Sequence, residues 1–154
     1  PQMKDWSELN IRKLKKALER LQKDGEIQLV QVDGLGEGYI RTIDFPGFEQ
    51  QEELHHVFML DKSDIIVRSH LTELKNRYKG LEVLQYLLID GEFKGAVLGH
   101  WRIGPYDIDD IVVGLDPQEA EARKKEIMEA VRKIYSPERT AILKYNGENL
   151  ERGE

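Results

Sequence analysis

The sequence has no cysteine. Disulfides, thiolate zinc ligands and thiol nucleophiles are therefore excluded, and a reducing compartment such as the cytoplasm fits. Long apolar runs are missing too: none approaches the ~20 residues a membrane-spanning helix needs. The first twenty residues are polar with helical spacing, unlike the apolar centre of a secretory leader. No internal repeat or low-complexity segment is present. What remains, 40% hydrophobic and 34% charged among 154 residues, is an ordinary globular composition. It suffices for one sizeable core or two small subdomains sharing one. The chain opens on Pro1 rather than methionine, which leaves open whether it is a fragment of something longer.

Basic charge is also in deficit, with 23 Lys and Arg against 29 acids and a net charge of −6. Such a balance argues against nucleic acid as a partner of the whole surface. The distribution is uneven, however. Residues 1–24 hold seven Lys/Arg and four acids, +3, which leaves −9 on the remaining 130 residues. Local sign decides what a surface attracts.

Ser7 reads as the N-cap of a helix running to about Asp24, with Gly25 as its stop. Leu14, Ala17, Leu18 and Leu21 recur at helical spacing and predict its buried stripe. Arg12, Lys13, Lys16, Arg20 and Lys23 are left for the exposed side. Ile27 to Val32 then reads as a strand, as does Tyr39 to Ile43. Between them lies "DGLGEG", three glycines at alternate positions, which raises the prospect of a phosphate-cradling loop. Such a loop must hand the chain to a helix. Here Gly38 leads into a strand and no lysine follows at Walker spacing, so the stretch is a hairpin tip.

Beyond Phe45-Pro46-Gly47, Gln50–His56 reads as a short helix or an acidic loop, and Val57–Leu60 as a short buried strand. Asp61 or Ser63 is expected to cap a helix over about 64–78, closed by Lys79-Gly80. Two apolar runs joined at Asp90-Gly91 give the clearest signal in the chain, a β-hairpin. Residues 108–115 add a third strand. Asp116, Pro117 and Glu119 then open a capped helix to about Tyr135, burying Ala120, Ile127, Val131 and Ile134. A last strand is predicted at 140–145 and a frayed polar tail at 146–154.

The expected fold is α+β: a winged-helix-like N-terminal unit (1–45), a connecting segment with a helix (46–80), and an antiparallel sheet covered by a long helix (81–154). The basic helix followed by a glycine and a two-stranded ribbon matches the second half of a winged helix. There the helix enters the major groove and the ribbon lies along phosphates. Arg12, Lys13, Lys16, Arg20 and Lys23 would be the DNA-contacting set, with Arg41 on the ribbon. The same residues also read as a solvated helix face beside an ordinary hairpin.

The stretch "LNIRKLKKALERLQKDGEIQLVQVDGLGEGYIRTI" resembles one winged-helix family, the DNA-binding proteins related to bacterial alkylpurine and interstrand-crosslink glycosylases. The resembling features are Ala17-Leu18, Leu21, Gly25-Glu26-Ile27, Val30, Val32, Gly34 and Tyr39, with "LDKSDIIVRS" and "LQYLLIDGEFKGAVLG" further on. The resemblance spans roughly residues 10–115 and rests on short, mostly structural motifs. It implies a winged-helix fold, double-stranded DNA as partner and a place in DNA repair. It also implies base excision resting on a Gln-apolar-Gln motif in the family's N-terminal portion. This chain has no counterpart, since Gln28-Leu29-Val30-Gln31 has other spacing and sits in the ribbon. Fold and DNA contact are carried over, and catalysis is not.

Other chemistry is weakly signalled. His55, His56 and His70 flank Asp61 and Asp64, and His100 precedes Asp107, Asp109 and Asp110, without metal-ligand spacing. No nucleophile elbow occurs. Trp101, Tyr106 and Tyr86 are candidates for an aromatic platform, or for core. No catalytic residue, metal or cofactor is assigned. The rival function is a protein-interaction or regulatory module using the sheet edge or the 46–60 segment.

Overall fold

The computed structural model describes residues 2–32, 36–48, 55–100, 107–136 and 138–150, which form a mixed α+β fold. The chain divides into two units, Pro1–Glu53 and Leu54–Glu154. Among the described residues no helix is long and apolar enough to cross a membrane.

In the first unit the residues before the basic helix form a short helix of their own, α1 (Gln2–Ser7). Glu8 then takes φ +58°, so the helix expected to start at Ser7 cannot run through it. Helix α2 (Ile11–Lys23) is capped instead by Asn10, whose Oδ1 accepts from the Lys13 N–H at 2.9 Å. Its end is as predicted. Gly25 has φ +74°, the Glu26 N–H bonds to Leu21 O at 2.9 Å and the Gly25 N–H to Gln22 O at 3.2 Å, a Schellman closure.

The ribbon follows at once. Strands β1 (Ile27–Val32) and β2 (Gly36–Arg41) pair antiparallel with Val32 opposite Gly36. The tip, 33–35, lies outside the described residues. Gly36 and Gly38 therefore stand within a strand, opposite Val32 and Val30. A 3-10 turn (Thr42–Asp44) and a short helix α3 (Phe45–Phe48) end the unit's described part. The expected buried stripe of α2 is corrected. Leu14 and Leu18 are half-buried, Ala17 is exposed and Leu21 is 38% exposed. One helix and a two-stranded ribbon are too small to enclose a side chain on all sides.

The second unit is a six-stranded sheet ordered β3-β4-β5-β6-β7-β8. Its centre is the antiparallel run β3 (Val57–Asp61), β4 (Val83–Ile89), β5 (Glu92–Gly99) and β6 (Ile108–Val113). The predicted hairpin turn is there: Asp90 has φ +52° and Gly91 φ +80°, the two left-handed positions of a type I′ turn. Strand β4 is buried on almost every residue, because helices cover both faces of the sheet. On one side Val67 of α4 (Ile65–Ser69) and Leu74 of α5 (Leu71–Arg77) pack on Tyr86, Phe93 and Ala96. On the other, α6 (Pro117–Ala122) is followed by α7 (Lys124–Arg132). There Ile127, Ala130 and Val131 pack on Leu87, Ile89, Val97 and Ile111.

Several local expectations change. Asp64, not Asp61 or Ser63, caps α4, while Asp61 accepts from the Ser63 N–H and hydroxyl at 2.9 and 2.7 Å. The helix predicted over 64–78 is broken at His70, and the one over 117–135 at Arg123. Ile134 lies beyond α7 and is 64% exposed. Asp116 caps α6 as predicted, accepting from the Gln118 and Glu119 N–H groups. The 140–145 strand shrinks to a parallel bridge at Ile142 and β7 (Lys144–Tyr145), parallel to β6. The tail through residue 150 is not frayed. Asn146 and Gly147 make a second left-handed turn, β8 (Glu148–Asn149) pairs with β7, and Leu150 packs on the core. The predicted segment at 50–56 falls largely outside the described residues.

Candidate nucleic-acid interface

Helix α2 sorts its residues cleanly. At about 100° per residue, Arg12, Lys23, Lys16, Arg20 and Lys13 fall within one arc of about 100°. Leu14 and Leu18, both half-buried, lie on the opposite side. All five cations are exposed, and Lys15 and Glu19 border the arc. The helix–ribbon angle is pinned at its corner. Thr42 donates its N–H to Glu26 O at 2.9 Å and its hydroxyl to Gly25 O at 2.7 Å. The ribbon has one half-covered face, with Val30 and Ile40, and one outer face. On the outer face Leu29 pairs with Tyr39 and Ile27 with Arg41. Leu29 is 45% and Tyr39 37% exposed. An open depression at the same corner is lined by Gly25, Glu26, Arg41, Thr42 and Ile43.

Five of the six expected contact residues thus share one helical surface, and Arg41 stands apart on the ribbon. Two are not free. Arg41 binds Asp44 through Nε–Oδ2 at 2.5 Å and Nη2–Oδ1 at 3.0 Å. This hydrogen-bonded carboxylate raises the arginine's already high pKa, so the guanidinium stays charged. Arg20 lies 3.5 Å from Asp24. The i,i+3 and i,i+4 spacings that permit these pairs are present in the sequence.

The remaining candidates are structural supports or lie elsewhere. Asp107 accepts from the Ala141 N–H at 3.0 Å and Asp110 from the Gly147 N–H, pinning the segments beside β6. His70 Nδ1 contacts Ser69 Oγ and Ile66 O, and its ring packs on Phe93 at 5.3 Å. The His56 ring meets Phe58 edge-on. His100 lies between Glu82, at Nδ1, and Asp109, 3.4 Å from Nε2. Among the described residues no group of three His, Asp or Glu is placed to hold a metal ion. Tyr86 is core, packed between Tyr78 and Phe93. Trp101 and Tyr106 lie outside the described residues.

The chain matches no family model, no curated protein and no solved structure. Its function is therefore argued from its own residues.

Proposed function

We propose that this chain is a DNA-associating module of an intracellular protein, with α2 as the element that meets the double helix. The observation that carries this reading is the single exposed arc of Arg12, Lys13, Lys16, Arg20 and Lys23, on a protein whose remaining charge is negative. A helix of this diameter fits a major groove, and cations along one face are spaced to meet phosphates on its walls. The adjoining ribbon carries Arg41 and Tyr39 on its outer face, within reach of a flanking backbone or groove. No base-reading set is implied. Binding is expected to be sequence-tolerant and weak, with Kd about 10⁻⁴–10⁻⁶ M near physiological salt.

Fluorescence anisotropy with a labelled duplex of about 20 bp, from about 25 to 200 mM salt, tests this. Affinity should fall steeply with salt, and K13E/K16E/R20E should lose binding while keeping its circular dichroism. Absence of binding at the lowest salt would overturn the proposal.

A second reading has its own observation. No described side chain of the first unit is buried, and Trp6 (47%), Ile11 (56%) and Ile43 (81%) are exposed apolar groups. A protein-interaction module would use that surface and leave the cations solvated. It predicts unchanged partner binding in K13E/K16E/R20E.

A further inference from the structure

Two of the six cations at the candidate interface already face carboxylates of their own chain. Arg41 presents its guanidinium fork to both oxygens of Asp44, and Arg20 Nε lies 3.5 Å from an Asp24 oxygen. Arg12, Lys13, Lys16 and Lys23 have no such partner among the described residues. We infer that the α2 surface engages duplex phosphates with these four cations only, while Asp24 and Asp44 withhold Arg20 and Arg41. The inference rests on the nucleic-acid reading above and refines it.

The chemistry is a competition between anions. A guanidinium paired in parallel with a carboxylate offers that carboxylate the same two N–H groups it would offer a phosphate. To reach DNA, Arg41 must leave Asp44, whose charge then stands unpaired beside a polyanion. One ionic contact is exchanged for another, and a repulsion is added. Both pairs are exposed, so each is individually weak. The repulsion of the stranded carboxylate is what makes the exchange unfavourable. The four unpaired cations carry no such cost: contact exchanges only water and counterions.

The number of phosphates neutralised can be read directly. The slope of log K against log salt is about −0.9 per phosphate on duplex DNA, hence about −3.6 for four contacts and about −5.4 for six. The experiment is salt-dependent anisotropy of the full chain with the labelled duplex, comparing wild type, R41Q and D24N/D44N. Asparagine keeps the size of aspartate and suits a helix end, and circular dichroism verifies the fold.

The expected result is a slope near −3.6 for wild type and for R41Q, and a steeper slope, approaching −5.4, for D24N/D44N. The double variant should also bind several-fold more tightly. A wild-type slope near −5.4, or one that R41Q flattens, would show that the arginines already engage and would overturn the inference while DNA binding stands. Tighter binding by D24N/D44N at an unchanged slope would mean relief of repulsion alone, and would overturn it as well. If neither wild type nor D24N/D44N binds at the lowest salt, the nucleic-acid reading itself falls.

Discussion

Arg123 and Asp90, 33 residues apart, tie the break between α6 and α7 to the turn of the β4–β5 hairpin. The Arg123 side chain is only 18% exposed, and its guanidinium engages both Asp90 oxygens, with Nη2–Oδ1 at 3.0 Å. Its Nε also donates to Glu126 at 2.9 Å. A charge this covered must be paired, and here Glu119 Oε1, 3.8 Å from Nη1, adds a third carboxylate to Asp90 and Glu126. The contact joins the helical layer to the sheet at the point where the hairpin reverses.

Asp90→Asn separates this charge from the turn, because asparagine tolerates the left-handed φ at least as well. The Arg123 hydrogen bond holds the Asp90 carboxyl below its ordinary range. A depressed carboxylate stabilises the fold above its unfolded pKa of about 3.9 and loses that contribution as pH falls through the folded value. D90N should therefore lower unfolding stability by about 1–3 kcal/mol at neutral pH. Urea titrations at successive pH values should show the difference shrinking below about pH 4. A constant difference down to acid pH would contradict the pairing.

Gly95 and Gly147 should respond to substitution in opposite order. A Cβ at Gly95 would lie 2.9 Å from Val112 O, a backbone atom, and 3.0 Å from Leu87 Cδ1. Gly147 has open space around it but φ +81°. Gly95→Ala should cost about 1–3 kcal/mol through overpacking, and Gly95→Asn more. At 147 alanine should cost about 1–2 kcal/mol and asparagine less, since it adopts that backbone more readily. Thermal melts of the four variants test the crossing.

Tyr145 sets an alkaline limit. Its hydroxyl donates to Ala120 O at 2.9 Å, and burial pushes the phenol up to about 12. A raised phenol contributes stability that is complete below the unfolded value of about 10 and lost as pH rises through the folded one. Stability should fall by ~2–3 kcal/mol across that window. Tyr145→Phe should cost about 1 kcal/mol at neutral pH and flatten the alkaline limb. Parallel alkaline limbs for the two proteins would count against the buried phenol.

Amide exchange should divide along the unit boundary. Strands β4 and β5 are sealed on both faces, whereas no described side chain in β1 or β2 is buried. Protection in β1–β2 should be lower by about two or more orders of magnitude, as for a ribbon that opens locally. Equal protection would mean that something covers the ribbon in solution.

Signals confined to a few neighbouring residues were legible. Gly25 as a stop, Asp90-Gly91 as a turn and Asp116 as a cap each depend on φ preferences and hydrogen bonds within about four residues. The segments flanking "DGLGEGY" pair as two strands, but Gly36 and Gly38, expected in the hairpin tip, stand inside β2 opposite Val32 and Val30. Asn146-Gly147 carries the same turn signal as Asp90-Gly91, but the residues around it are polar and the strands it joins are only two residues long, so the pattern that marks a hairpin is missing there. The basic arc of α2 followed from periodicity, and the arginine–aspartate pairs were open to the same reasoning.

By itself, then, the sequence determined where chains turn and which face of α2 is charged, because those depend on backbone sterics and helical period. Tertiary structure decided what each face meets. It split two predicted helices, at His70 and at Arg123, whose side chains contact Phe93 and Asp90. It left Ile134 in water and gave the sheet helical cover on both sides. It also set β7 parallel to β6. Burial and pairing of this kind are properties of residues far apart in the chain, and no local preference encodes which of them will touch.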